Sequence, residues 1–226
     1  MQARTQTSFI FDLDGTLLDS VYDHVIAWGQ ALREMKIEVS VWRIHRRIGM
    51  SGGLFTAALV RELGREIDDE TKDKLRALHA QYYNAVSDKI QPLPGAVALL
   101  EHLTANKIPW AVATSSHMLT AGKVLAKLKV DPAKHVVITR DQVLYAKPDP
   151  DLFLAAAEKL GIDITTSCVV GDAVWDMLAS KRAHALGIGF LSGGYGEDEL
   201  FRAGAYRIFE DPADMLMHID EVGGRR

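Results

Sequence analysis

The sequence predicts an α/β fold, a parallel sheet core interrupted by an all-helical insertion. Two observations point to the core. Short, continuously apolar runs recur along the chain, and each is followed by a helical pattern. Apolarity without alternation marks strands buried on both faces, and strands that alternate with helices assemble into a parallel sheet. A third observation points to the insertion, because a long stretch after the first run contains no buried-strand pattern.

In chain order, Phe9-Ile10-Phe11 is the first strand run. Residues from roughly 21 to 89 then read as helical throughout, punctuated by the turn Ile48-Gly49-Met50-Ser51-Gly52-Gly53. Gln91-Pro92-Leu93-Pro94-Gly95 marks the exit, where two prolines stiffen the link. Val97, Leu100 and Leu103 fall at threefold spacing on a helical stripe, followed by the strand run Trp110-Ala111-Val112-Ala113. Val136-Val137-Ile138 is the third run, and Phe153, Ala156 and Leu160 make the next stripe. Cys168-Val169-Val170 and Gly187-Ile188-Gly189-Phe190-Leu191 are the fourth and fifth runs. This pattern divides the chain into a discontinuous Rossmann-like core, 1–18 plus 90–226, and a helical cap, 19–89.

Composition narrows the function. With 48% hydrophobic residues, the 226-residue chain has enough apolar material for a substantial core. Its 26 Lys and Arg are outnumbered by 30 Asp and Glu, a net charge of −4, which gives no general attraction to a nucleic-acid backbone or an anionic membrane. Neither partner is expected. Cys168 is the sole cysteine, which excludes an intramolecular disulfide and fits a reducing cytoplasm. The apolar stretch before Asp12 is too short for a signal sequence or a membrane span, so a soluble chain is expected.

The chemistry gathers at strand ends, which is where an open parallel sheet binds its ligands. Asp12 and Asp14 follow the first strand directly, with Gly15 and Thr16 behind them. An Asp-Gly turn explains such a pair taken alone. Yet Gly171-Asp172 follows the fourth run, with Asp176 four residues on. Helix capping accounts for one of these acids, not for both. Four carboxylates at the ends of two parallel strands repel one another unless a cation compensates, and an all-oxygen donor set points to Mg²⁺. The eight histidines show no zinc-like spacing. Thr114, Ser115 and Ser116 close the second strand run and offer hydroxyls and backbone N–H groups to an anion, with simple N-capping by Ser116 as the alternative. Lys147, followed by Pro148, supplies a cation at the entry to the next helix. A metal, two adjacent acids, hydroxyls and a lysine are what phosphoryl transfer through an aspartyl phosphate requires.

Together, Asp12-Leu13-Asp14-Gly15-Thr16, Thr114-Ser115, Lys147-Pro148-Asp149 and Gly171-Asp172 with Asp176 resemble the four ordered motifs of the haloacid dehalogenase superfamily. The insertion after the first motif resembles its small helical cap, so the likeness spans nearly the whole chain. It implies Asp12 as nucleophile and Asp14 as general acid/base. It implies Thr114, Ser115 and Lys147 as phosphate-binding residues. Mg²⁺ would be held by Asp12, the main-chain carbonyl of Asp14 and Asp172, with Asp176 as an indirect partner. The substrate class it implies is a small phosphorylated metabolite, as in the phosphoglycolate phosphatases.

The acid at position 14 argues against dehalogenase chemistry, whose halide leaves without a proton. A β-phosphoglucomutase-like mutase is the main alternative, because Asp19, His24 and Trp28 follow the first motif at similar spacings. Gly52 stands where that branch carries a cap arginine, which favours phosphatase. A non-catalytic member of the fold would be expected to lack Asp12 or Asp14, and both are present. In the cap, His24 is a candidate for coupling closure to Asp14, and Arg47 for meeting a second anionic group of the substrate. For the cations from Arg43 to Arg47 in general, a solvated helix face is the plainer reading. Packing explains Cys168 without any reactivity, and Trp175 reads equally as packing or as pocket wall.

Overall fold

The computed structural model describes residues 7–64 and 67–224. The first six residues, expected to belong to the core, lie outside the described residues. Strand β1 (Ser8–Phe11) is buried along its whole length. The chain then leaves the sheet for α1 (Val21–Glu34), α2 (Val41–His45), α3 (Gly52–Leu63) and α4 (Asp69–Val86). It returns through α5 (Ala96–Ala105) to β2 (Trp110–Ala113), α6 (Met118–Leu125), β3 (Val136–Ile138), α7 (Asp151–Leu160) and β4 (Ser167–Gly171). The remainder is α8 (Val174–Arg182), β5 (Leu186–Phe190), α9 (Glu197–Ala203), β6 (Ala205–Phe209) and α10 (Pro212–Met217).

The six strands form one parallel sheet in the order β3-β2-β1-β4-β5-β6. Five of them lie where continuous apolar runs predict them. The sixth was not expected, and its composition explains why: Tyr206 is exposed and Arg207 half-buried, so this edge strand lacks an uninterrupted apolar run. Register aligns the strand ends, since Phe11 lies opposite Val112 in β2 and Val170 in β4. The residues that follow, Asp12, Ala113-Thr114 and Gly171-Asp172, therefore emerge at one level.

Side chains alternate across the sheet as the pleat requires. Phe9 and Phe11 pack with Leu99, Leu103, Val112 and Val124 on one face. Ile10 packs with Phe153, Ala156 and Val169 on the other. Helices α1 to α4 enclose a cluster of their own, including Val25, Trp28, Leu32, Phe55, Leu59 and Leu75. Ser51 caps α3 by accepting from Leu54 N at 3.4 Å, and Gly64 ends it at φ 62°. Asp68 caps α4 by accepting from Thr71 N at 2.8 Å.

The two crossings between sheet and helices run side by side. Leu18 bridges Pro92, Asp19 N donates to Gln91 O at 3.0 Å, and Leu93 N donates to Leu17 O at 2.9 Å. Gly95, at φ 76°, caps α5 and lies so close to the backbone of Ala213 in α10 that a Cβ there would collide with it. Among the described residues, no helix is long and apolar enough to cross a membrane.

Candidate active site

Asp12 leaves β1 with its N–H donated to Val170 O at 2.8 Å, which fixes its backbone against β4. Its carboxylate is ion-paired with Lys147, a side chain with no exposed surface. Lys147 Nζ also lies 2.8 Å from Asp176 Oδ1, while Asp176 Oδ2 accepts from Ala173 N at 3.0 Å. Asp172 Oδ1 accepts from Thr16 Oγ1 at 2.7 Å. Gly171 is glycine because Asp176 takes the space of a Cβ, and a Cβ on Gly15 or Gly193 would strike the Asp172 carboxylate. Glycine thus opens the room in which these acids pack.

The electrostatics of this cluster are those of an under-neutralised site. Burial, only partly offset by Lys147 and reinforced by Asp176, pushes Asp12 up to about 7. Burial, with Asp176 and Asp12 adding repulsion, pushes Asp172 well above the carboxylate range. Burial alone would lower Lys147, but Asp12 and Asp176 more than offset it and hold the ammonium charged. Oxygens of Asp12, Asp172 and Asp176 lie within 4.8 Å of one another. Three buried carboxylates, all hard oxygen donors and neutralised by one lysine only in part, suit a divalent metal ion, which would restore their ionised form.

Asp14 is bound differently. Its Oδ1 accepts from Ser20 Oγ at 2.7 Å and Tyr83 OH at 3.1 Å and lies 3.2 Å from His24 Nε2. Its Oδ2 accepts from Ser116 Oγ at 2.9 Å. Burial would raise this carboxyl, yet His24 and the hydroxyls hold it well below the usual range. The capping alternative for Ser116 is corrected here: α6 begins two residues later with His117 at its cap, and the Ser116 hydroxyl is bonded to Asp14. Thr114 Oγ1 accepts from Ser116 N at 3.0 Å. Ser115 Oγ reaches across to Gly49 O in the α2–α3 turn at 3.0 Å.

Above Asp12 and Asp14 lies a cleft that opens to solvent. Thr114, Ser115 and Ser116 line its floor; His24, Trp28, Arg47, Phe55, Arg76 and His79 line the wall formed by α1 to α4. Trp28 stacks on Phe55 at 4.1 Å and on His79 at 4.2 Å between ring centres.

A haloacid dehalogenase-like hydrolase model matches residues 7–184. The chain belongs to that family. A hydrolase from Pseudomonas syringae is 55% identical, with a TM-score of 0.94, and the match covers 96% of this chain and 99% of that one. The phosphoglycolate phosphatase of Neisseria meningitidis is 32% identical over 83% of this chain and 80% of its own length. The β-phosphoglucomutase of Bacillus subtilis is 27% identical over 93% and 92%.

In this haloacid dehalogenase-like hydrolase the helical layer is bonded onto the core at a second place, through Gly193, which packs against Asp172. His45 Nε2 lies 2.8 Å from Gly193 O, and Arg46 pairs with Glu199. The carbonyl of Arg46 accepts from Tyr195 OH at 2.9 Å and Trp175 Nε1 at 3.3 Å, so Trp175 supports this contact. Arg47 stands on the cleft wall, but its guanidinium is bonded to Glu62 at 2.6 Å and to Arg43 O at 2.6 Å. Cys168 is buried, its Sγ 3.6 Å from Val222 O. Sequence reasoning did not single out Ser20, Tyr83, His79 or Gly193. Only the fold brings them to the acids, and a serine or tyrosine on a helical stripe carries no signal of its own.

Proposed function

We propose that the protein is a Mg²⁺-dependent phosphatase that hydrolyses a small phosphorylated metabolite through an aspartyl phosphate. The observation that carries this reading is Asp12 at the end of the central strand, buried against Lys147 and opening onto a cleft edged by Thr114, Ser115 and Ser116. In the first step an Asp12 carboxylate oxygen attacks phosphorus and the bond to the leaving oxygen breaks, that oxygen taking a proton through Asp14, which rests ionised and receives that proton from its His24 partner 3.2 Å away. In the second, Asp14 takes a proton from water, which attacks phosphorus and releases phosphate and the Asp12 carboxylate. Lys147 and the N–H and hydroxyl groups after β2 neutralise and orient the phosphoryl oxygens. Asp12, Asp172 and the Asp14 carbonyl would hold Mg²⁺, with Asp176 fixing Lys147 beside them; the ion would stabilise charge on the transferring group.

Residues 19–89 act in this reading as a cap over a core of 1–18 and 90–226, with His24 orienting Asp14. That His24 contact also favours a second reading, a β-phosphoglucomutase-like phosphomutase. A reducing cytoplasm suits a chain whose one thiol is buried, and no macromolecular partner is needed. The test is phosphate release from a panel of phosphorylated metabolites with and without Mg²⁺. β-Glucose 1-phosphate with its bisphosphate belongs in the panel. Conversion of that pair to glucose 6-phosphate faster than any phosphate release would replace phosphatase by mutase.

A further inference from the structure

His24, the partner of Asp14, has a partner of its own. Its Nε2 faces Asp14 Oδ1 at 3.2 Å, and its Nδ1 lies 3.0 Å from His79 Nε2. His79 and Tyr83 stand four residues apart on α4, so one face of that helix presents both to His24. The His24 ring is stacked on Tyr83, 3.9 Å between centres, and the His79 ring on Trp28 at 4.2 Å. Aromatic faces thus hold both imidazoles. Asp14, His24 and His79 form one hydrogen-bonded chain that runs from the end of β1 through α1 to α4.

The direction of these bonds follows from what His24 has to deliver. A neutral imidazole carries one N–H and an imidazolium two. If His79 donated to His24 Nδ1, the one His24 proton would sit at Nε2, and giving it to Asp14 would leave an imidazolate. With His79 Nε2 as acceptor, His24 keeps a proton at Nδ1 and passes the one at Nε2 to Asp14, ending as a neutral ring. His79 suits that part, because burial and repulsion from His24 lower it well below the ordinary histidine range and leave its ring neutral. The bond made by one nitrogen decides which proton the other can release.

We propose that His79 is a positioning residue: it pins a proton on His24 Nδ1 and so makes the Nε2 proton the one delivered through Asp14 to the leaving oxygen, a role that rests on the phosphatase reading. In the second step the proton that Asp14 takes from water returns to His24 Nε2, and the chain is restored.

Two variants separate this role from packing. His79→Phe keeps an aromatic ring beside Trp28 and has no acceptor, whereas His79→Gln keeps an acceptor without the ring. The probes are the best alkyl phosphate of the panel, whose alkoxide leaves only with a proton, and para-nitrophenyl phosphate, whose phenolate leaves without one. In His79→Phe, kcat/KM for the alkyl phosphate should fall about 10- to 100-fold relative to that for para-nitrophenyl phosphate, and His79→Gln should retain part of the wild-type ratio. A ratio unchanged in His79→Phe, or a larger loss in His79→Gln than in His79→Phe, overturns the proposal. Proton NMR of protein carrying isotope-labelled histidine reads the same bond without turnover. His24 should show an Nδ1 proton protected from exchange in wild type and in His79→Gln, and none in His79→Phe. If no phosphomonoester is hydrolysed, the phosphatase reading is what fails. The NMR signal then decides the part of His79 alone, and its survival in His79→Phe or its absence from wild type overturns it.

Discussion

At the scale of single residues, Asp12 and Asp14 stand two positions apart in the chain and in opposite surroundings. Lysine and two further acids surround Asp12, while hydroxyls and an imidazole surround Asp14. Asp12→Asn keeps the shape and removes the attacking oxygen, so turnover should fall about a thousandfold or more with an unchanged circular dichroism spectrum. Gly193 offers a more selective probe, because a methyl there meets the Asp172 carboxylate. Gly193→Ala should weaken Mg²⁺ binding about 10- to 100-fold in a calorimetric titration. Cys168 has no part in this chemistry: burial pushes its thiol up to about 12. Iodoacetamide at pH 8 should leave it unmodified in folded protein and label it fully in denaturant, as mass spectrometry would record. Asp12, Asp14, Asp172 and Asp176 were legible because each follows a strand run or opens a helix, and Lys147 because it precedes the proline-marked entry to α7. Ser20, Tyr83 and Gly193 were not, because their role depends on what the fold sets beside them.

At the scale of elements, five strands and the helical stretch could be read from apolar spacing, since burial on both faces leaves an uninterrupted signature. β6 escaped because an edge strand with Tyr206 in solvent does not carry that signature. Junctions between elements were less legible still. Gly95 reads as the end of a proline-stiffened link, but in the fold it is where α5 meets α10. Its φ of 76° and its contact with Ala213 both exclude a side chain. Gly95→Ala should cost about 2 kcal/mol or more, lowering Tm by roughly 4–8 °C in a chain of this size.

For the whole molecule, the under-neutralised acid cluster makes metal and stability one subject. Mg²⁺ at a hundred times its Kd should stabilise the fold by about 2.7 kcal/mol, a rise in Tm of roughly 5–11 °C over chelator-treated protein. A melting curve indifferent to Mg²⁺ would mean that the cluster does not bind it. The position of β1 at the centre of the sheet has a further consequence, for biosynthesis. Phe9 is made before its neighbours on the two sides, Trp110 and Cys168. At about 5–20 residues per second, a ribosome needs on the order of ten to thirty seconds to travel from the first to the last of these. Until β2 is made this strand has no neighbour, and until β4 is made it is paired on one side at most, while α1 to α4 already have one another. The helical layer is thus the part able to fold on the ribosome. A ribosome stalled before β4 holds a chain whose central strand is open on one side and whose acid cluster is not assembled, a substrate for chaperones rather than an enzyme.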